Sequence, residues 1–384
     1  MTPVLFKNRE DCCGCKACAN ACPKDAISFI MDEYGFQYPT INEEKCIGCN
    51  KCVNTCDFQK NSDIGHYPLE GFAARYNDLD VLIQSNSGGA FTALAEWVIN
   101  HKGIVYGCVF DEHFSPIHKA VESIEGLAAM RGSKYAQSEV GFVYRDVKSN
   151  LTRGRYVLFT GTPCQVAGLY SYLGNYNKDY LLTADLICHG VPNAEVFKKY
   201  TEYLEKKYHS NIERFIFRGK LYGWTRPVVD VSFKNGVRKW WLTGRNIYYA
   251  NFDKRNLQRL SCFRCKYACT SRCGDITIGD FWGFHKANIK MPYKEGLSCC
   301  LLNTSKAQEI FNSLNLQVEK VDSNYIIQGN FHLRKPSPKG RDWDIVMKSI
   351  KQNGFDSLTL WGLFYKNMCK DILKRKVRKL LKVK

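Results

Sequence analysis

No apolar run in the chain approaches the roughly 18 residues of a membrane span, so an integral-membrane protein is not expected. The opening stretch MTPVLFKNREDCCGC has no apolar segment of the kind a secretory signal carries. A cytoplasmic setting is expected instead. No G-x-G-x-x-G follows a strand-like run, which leaves a Rossmann NAD or FAD site unsupported. What is present is substantial. With 384 residues, 45% of them apolar and 24% charged, the chain can bury sizeable cores, and its length predicts two or three units.

Cysteine is the outlier. There are 19, an odd number and unevenly placed: nine fall between Cys12 and Cys56, and four between Cys262 and Cys273. A disulfide scaffold would be small and secreted. Clustered thiols in a reducing compartment hold metal more often than disulfides.

The formal charge of +18 is also uneven. Residues 1–65 carry seven Lys/Arg and nine Asp/Glu, while CKDILKRKVRKLLKVK (369–384) carries eight Lys/Arg and one Asp. Such a tail suits an anionic membrane surface or plain solubility. A zinc protein binding nucleic acid through its basic body is a poor match, because the cysteine-rich end is acidic. No nucleic-acid partner is expected.

Residues 1–65 repeat internally: CCGCKACANACP (12–23) and CIGCNKCVNTCD (46–57) are the same unit, with two short strands expected around Tyr34-Gly35. NSDIGHYP (61–68) reads as a linker. From about residue 70, strands ending in Gly-containing loops enter helices. Examples are GFAARY (71–76) before SGGAFTALAEWVINH (87–101), RYVLFTG (155–161) before TPCQVAGLYSYL, and YLLTADLICHG (180–190) before NAEVFKKYTEYLEKKY (193–208). IVYGCVF (104–110) pairs with IHKAVE (117–122). Beyond residue 210, FIFRG, PVVDVSFKNGVRKWWLTG and DITIGDF are strand-like, with a hairpin turn at Asn235-Gly236. LSCCLLN (297–303) and a helix from Thr304 add one more unit, and PSPKG (336–340) marks a boundary. The expected class is an α+β/α/β multidomain protein: a bacterial-type ferredoxin fold and an α/β body with mixed sheets. The expected units are 1–65, 66–209, 210–340 and a basic amphipathic helical tail, 341–384.

Cys12-x2-Cys15-x2-Cys18-x3-Cys22-Pro23 has the spacing of a ferredoxin half, in which the fourth cysteine serves the other cluster. Cys46-x2-Cys49-x2-Cys52-x3-Cys56 repeats it, with Asp57 in place of the usual Pro. The spacing therefore predicts Cys12, Cys15, Cys18 and Cys56 on one 4Fe-4S cluster and Cys46, Cys49, Cys52 and Cys22 on a second, with Cys13 unligated. Zinc sites favour paired C-x2-C knuckles on longer spacers. A second group, Cys262-x2-Cys265-x3-Cys269-x3-Cys273, can close on a third cubane, with zinc as the open alternative. Its spacings run opposite to those of a radical-SAM site.

Three glycine-rich strand-to-helix junctions, NSGGAFT (86–92), FTGTPCQ (159–165) and ICHGVP (187–192), offer backbone N–H groups to an anionic cofactor. Glycine at such turns also serves structure alone.

The set NSGGAFTAL (86–94), RGSKYAQS (131–138), FTGTPCQVAGL (159–169), DLICHGVP (185–192) and CFRCKYACTSRCGDITIGDFWG (262–283) resembles the beta subunit of coenzyme F420 hydrogenase/dehydrogenase, here preceded by a two-cluster ferredoxin module. The resemblance implies FAD beside a 4Fe-4S cluster, with related members acting on a deazaflavin coenzyme, chlorophyll precursors or substrates associated with bacterial polysaccharides. It implies a flavin pocket at Ser87, Gly88, Gly89, Thr92, Lys134, Thr160, Gly161, Thr162, Cys164 and Gln165. Lys134 would steady a reduced flavin or its phosphate, or lie exposed. Cys164 is an activated thiol or an inert one. His189 is a proton donor or a structural histidine, Cys188 an alternate ligand for the Cys262–Cys273 group, and Asp280 a cofactor contact or a strand-end cap.

In the tail, Phe364, Met368, Ile372, Leu373, Val377, Leu380 and Leu381 recur at helical spacing. This suits a helix lying on an anionic membrane or one packed on its own domain. The expected function is an iron–sulfur flavoprotein oxidoreductase. Electrons pass from reduced ferredoxin or a similar donor through the clusters to FAD, then to a small or lipid-linked organic acceptor. That acceptor is coenzyme F420-like or a polysaccharide-biosynthesis intermediate. The rival reading is a non-catalytic electron-transfer subunit.

Overall fold

The computed structural model describes residues 2–60 and 65–381, with side chains up to residue 374. Residues 61–64 of the expected linker and the side chains of Val377, Leu380 and Leu381 lie outside the described residues.

The N-terminal repeat is visible in the backbone. Gly14 and Gly48 both take positive φ, 72° and 66°, and so do Lys16 and Asn50, at 64° and 57°. Each left-handed residue opens a short helix that follows its cysteine turn: α1, Ala17–Ala21, and α2, Lys51–Asn54. Glycine tolerates this conformation at no steric cost, which lets the chain curl around a ligand. Between the helices, β1 (Ile27–Met31) and β2 (Gln37–Ile41) pair antiparallel, Ile27 opposite Ile41. The apolar core beneath is small: Ala19, Ile27 and Cys52 with Leu5, Phe29 and Ile41 packed on it.

The body is built on one eight-stranded sheet. Its members are β3 (Glu70–Tyr76), β4 (Ile104–Phe110), β5 (Pro116–Val121), β6 (Val157–Gly161) and β7 (Leu181–Leu186), with three later strands. Helices α3 (Leu79–Gln84), α4 (Ala90–Asn100), α5 (Val143–Thr152), α6 (Pro163–Leu173) and α7 (Ala194–Tyr208) connect or cover them. β4, β6 and β7 run parallel. VLF at 157–159 and LLT at 181–183 are buried throughout, as expected of parallel strands covered on both faces. Truncating Leu158 to Ala in such a place costs about 2–5 kcal/mol.

A second sheet of three strands follows: β8 (Ile212–Gly219), β9 (Val228–Phe233) and β10 (Arg238–Leu242), all antiparallel. The hairpin at Asn235-Gly236 forms as expected, with Gly236 at φ 82°. After α8 (Ile247–Asp253) the chain returns to the large sheet. β11 (Ile276–Asp280) lies parallel to β7 and antiparallel to β12 (Ser298–Leu302); β12 pairs with β3, and β13 (Leu316–Val321) closes the edge beyond it. The final order is β13-β3-β12-β11-β7-β6-β4-β5, so the large sheet takes strands from both sides of residue 209. The fold is thus a ferredoxin-like module on a mixed-sheet α/β body.

α9 (Ser305–Phe311), α10 (Ser323–Gly329) and α11 (Trp343–Asn353) precede the long α12 (Leu358–Leu381). Trp343, Val346, Met347, Ile350, Leu360 and Phe364 are buried with α7 and the smaller sheet in one core. The start of the expected tail is therefore part of the body. Met368 also packs there, whereas Ile372 and Leu373 on the same helix are exposed. No helix among the described residues is long and apolar enough to cross a membrane.

Candidate iron–sulfur and cofactor site

The N-terminal thiols sort into two groups. Cys18 is pushed well up in pKa, first by burial and then by Cys15, Cys12 and Cys56. Cys12 is raised by burial, with Cys15 and Cys56 adding to it and Arg259 opposing. These four are mutual neighbours. Cys22, Cys46, Cys49 and Cys52 line a separate cavity with Pro23, Ile41 and Ile47. Each repeat thus lends its fourth cysteine to the other group, the exchange the spacing predicts. Raised thiol pKa values mean that cluster binding must expel protons. Among the described residues, no three His, Cys, Asp or Glu side chains stand as ligands of a single metal ion.

The module is fastened to the body at several points. Asn20 Nδ2 donates to Gly141 O at 2.8 Å, and Arg145 donates to the carbonyls of Ala19, Asn20 and Cys22. Asp57, where ferredoxin repeats carry Pro, is buried: it accepts from Tyr267 Oη at 2.7 Å and pairs with Lys266 at 2.9 Å. Its side chain therefore ties the second repeat to the segment that holds the later cysteines.

Beyond Cys15 lies an inner group of thiols. Cys164 sits in the first turn of α6, which starts with Pro163 and is capped by Thr162, whose N–H donates to Gln165 Oε1 at 3.0 Å. Cys188 follows the carboxyl end of β7. Cys262 and Cys265 lie on the turn before β11. Cys13, Cys164, Cys188, Cys262 and Cys265 line one cavity together. Burial raises Cys188 and Cys262 to about 12; Cys164 adds to both, and Cys188 to Cys262. Cys265 is raised for the same reasons, burial first and then Cys164 and Cys262. A hydrogen bond from Cys13 holds Cys164 down, at about 7, against its burial.

Cys269 and Cys273 are not brought to this cavity. Cys269 Sγ donates to Ser271 O at 3.2 Å. Cys273 is buried with apolar neighbours, and its N–H donates to Asp185, which pairs with buried Arg272 at 3.2 Å. Consecutive cysteine spacing suggests Cys269 and Cys273 as ligands. The fold offers Cys164 and Cys188 instead, because the carboxyl ends of β6 and β7 point there. The signal in the sequence was a cysteine in each of two glycine-rich strand-to-helix junctions.

Next to this cavity is a much larger one, of about 510 Å³, at the carboxyl ends of β6, β7 and β11. That size lies within the range of small-molecule and cofactor pockets. Ser87, Gly89, Lys134, Thr160, Gly161, Thr162, Gln165, His189 and Asp280 all line it. Gly88 and Thr92 stand behind the wall. A Cβ on Gly88 would lie 2.2 Å from Ala74 O, so its need for glycine is close packing. Thr92 Oγ1 accepts from Arg131 Nε at 3.3 Å. Lys134 is half-buried, donates to Ala129 O and Arg131 O, and is lowered to about 8 by the desolvation of its ammonium. Gln165, Ser138 and His118 form a chain along the cavity wall that ends on Thr160 O.

Asp280 does not stand alone. It pairs with Arg218, and Trp224 Nε1 donates to its other oxygen at 2.8 Å. Arg218 is buried inside strand β8, lines the cavity, and its Nε has no hydrogen-bond partner among the described residues. A buried unmet donor beside a cavity is the place for a ligand acceptor atom. Trp282, stacked on Trp224 at 4.9 Å, adds a flat wall, as does Tyr249. Arg218, Trp282 and Tyr249 escaped the sequence reading; the one hint was an arginine within the apolar run FIFRG.

The two cavities share a wall. Thr162, Cys188, His189, Gly190 and Val191 border both. His189 is stacked on His332 at 4.0 Å, and burial lowers it to about 4, so it is neutral near pH 7.

Comparison with known proteins agrees with this division. Residues 11–60 match the 4Fe-4S dicluster domain, and residues 154–323 match the C terminus of the coenzyme F420 hydrogenase/dehydrogenase beta subunit. No curated protein matches the chain. A chain from the F420-reducing NiFe hydrogenase complex of Methanosarcina barkeri, solved with xenon, aligns at a TM-score of 0.44 and 16% identity, covering 78% of this chain and 92% of that one. The chain thus matches, in order, a 4Fe-4S dicluster domain and the C terminus of the coenzyme F420 hydrogenase/dehydrogenase beta subunit.

Proposed function

We propose that the chain is an iron–sulfur flavoprotein oxidoreductase. Its clusters are held by Cys12, Cys15, Cys18 and Cys56, by Cys46, Cys49, Cys52 and Cys22, and by Cys164, Cys188, Cys262 and Cys265. FAD fits the cavity of about 510 Å³. The observation that carries the reading is the shared wall: the inner thiols and the large cavity lie on two sides of the same five residues. Bound clusters carry electrons singly, and a bound flavin supplies the exchange between single electrons and pairs.

The chain's own residues orient and shield. Lys134 and Arg131 place cations near the glycine-rich wall, suited to phosphate. Trp282 and Tyr249 offer flat faces to a ring, and Arg218 Nε offers a donor to its edge. His189 and His332 keep the partition between the cavities uncharged and dry.

The second group is the outermost, with Cys49 exposed, which favours it as the entry for a ferredoxin-type donor. The beta-subunit family supports redox partner proteins beside the chain. The acceptor is an organic two-electron substrate, coenzyme F420-like or a polysaccharide-biosynthesis intermediate. The exposed Ile372 and Leu373 on a basic helix support peripheral contact with anionic lipid. Anaerobic purification tests the core of the reading. It should give about twelve irons and matching sulfide per chain, with one acid-releasable FAD that is reduced by dithionite and reoxidised by the right acceptor. Material without releasable flavin would refute the flavoprotein.

A further inference from the structure

Arg259 is an unusual cation. It is 1% exposed, yet the groups that raise its pKa are Cys12, Tyr38, Cys13 and Cys262, with no carboxylate among them. Burying an ion without a counter-charge is costly, and such ions are normally paired. The contacts it does make fix its place. Nε donates to Cys12 O at 2.7 Å, Nη2 to Gln37 O at 2.8 Å and to Cys12 Sγ at 3.7 Å, and Nη1 to Gln137 Oε1 at 3.4 Å. The guanidinium lies 4.3 Å over the Tyr38 ring. Its backbone N–H is held by Val191 O at 2.9 Å, and Cys262 follows three residues later. One side chain thus reaches from the turn carrying the inner thiols into the first thiol group of the module.

We infer that Arg259 is a positioning residue whose missing counter-charge is the thiolate-bound first cluster, and that it sets that cluster's reduction potential. This rests on the cluster assignment proposed above. A cationic N–H donor at a ligand sulfur stabilises the more negative, reduced state, because hydrogen bonds to sulfur and local net charge both set cluster potentials. The first cluster is then the easier one to reduce, and it is the one that faces Cys13 and Cys164. Electrons entering at the exposed second group run downhill toward the inner site.

The test is an EPR-monitored redox titration of the whole protein, with the first cluster identified as the signal lost in C56S. Arg259→Gln should lower that cluster's midpoint by at least a tenfold change in its oxidised-to-reduced ratio, about 59 mV for one electron. The other two should move little, and Arg259→Lys should recover part of the shift. Because Arg259→Gln could weaken docking, a second measurement uses the unaltered protein. Isotope-labelled arginine should show a nitrogen hyperfine coupling to the reduced first cluster. An unchanged midpoint at full iron content, or no arginine coupling, overturns the inference. Iron content near zero overturns the cluster assignment itself, and the inference with it, and is seen separately.

Discussion

The outer and inner thiol sites are built in opposite ways. The module packs two ligand sets into residues 12–56 around a core of a few side chains. The inner site takes its thiols from α6, the end of β7 and the turn before β11, so that Cys164 and Cys265 are about a hundred residues apart. The large sheet fixes those positions first, with Val157, Leu158 and Phe159 fully buried. On the proposed assignment, the outer ligands need the metal to hold their fold, and the inner ligands have a fold that holds them for the metal.

Iron removal tests this contrast with the largest effect. Anaerobic chelation should strip protection from amide exchange across residues 12–57 while β6 and β7 keep theirs. Equal loss in both regions would erase the distinction. A smaller effect is expected at the join. Asp57→Ala removes the acceptor of Tyr267 and the partner of Lys266, and should cost about 2–3 kcal/mol in unfolding free energy, read by denaturant titration. A change near zero would show that the module is held by other contacts.

How much of this could be read from the chain follows the same division. The eight outer cysteines are close in sequence, so their spacing alone predicts the two groups into which the fold sorts them. The positive φ at Gly14 and Gly48 adds the turn that spacing implies. Most strands from residue 70 to 302 were legible, because buried parallel strands read as apolar runs. The inner set was legible only in part: Cys262, Cys265 and the alternate Cys188 were named, but Cys164 was not placed with them, because sheet order decides which loops meet, and β11 joins β7 only after a detour through the second sheet. Asp57 looked like a lost proline; its role appears only when Tyr267 is placed opposite. Thr92 and Gly88 shared a motif with Ser87 and Gly89, yet packing against Arg131 and Ala74 takes them out of the cavity wall.

A further effect concerns pH and the body alone. His118 is buried, gives its Nε2 proton to Thr160 O and has Nδ1 beside Ser138 Oγ, an arrangement that suits the neutral ring. Burial lowers it from 6.5 to about 4. The unfolded chain therefore binds the proton first, and stability falls as pH drops from about 6.5 toward 4. His118→Gln should flatten that acid slope, measured by denaturant titration between those values. An unchanged slope would place the acid sensitivity elsewhere.

The central claim is that a third cluster is held by thiols gathered by the sheet rather than by neighbours in sequence. The direct measurement is iron and acid-labile sulfide per chain in the unaltered protein, Cys188→Ser and Cys273→Ser, all handled without oxygen. The account predicts that Cys188→Ser loses about four irons, one cubane, while Cys273→Ser keeps the full count. Loss in Cys273→Ser with retention in Cys188→Ser would contradict it.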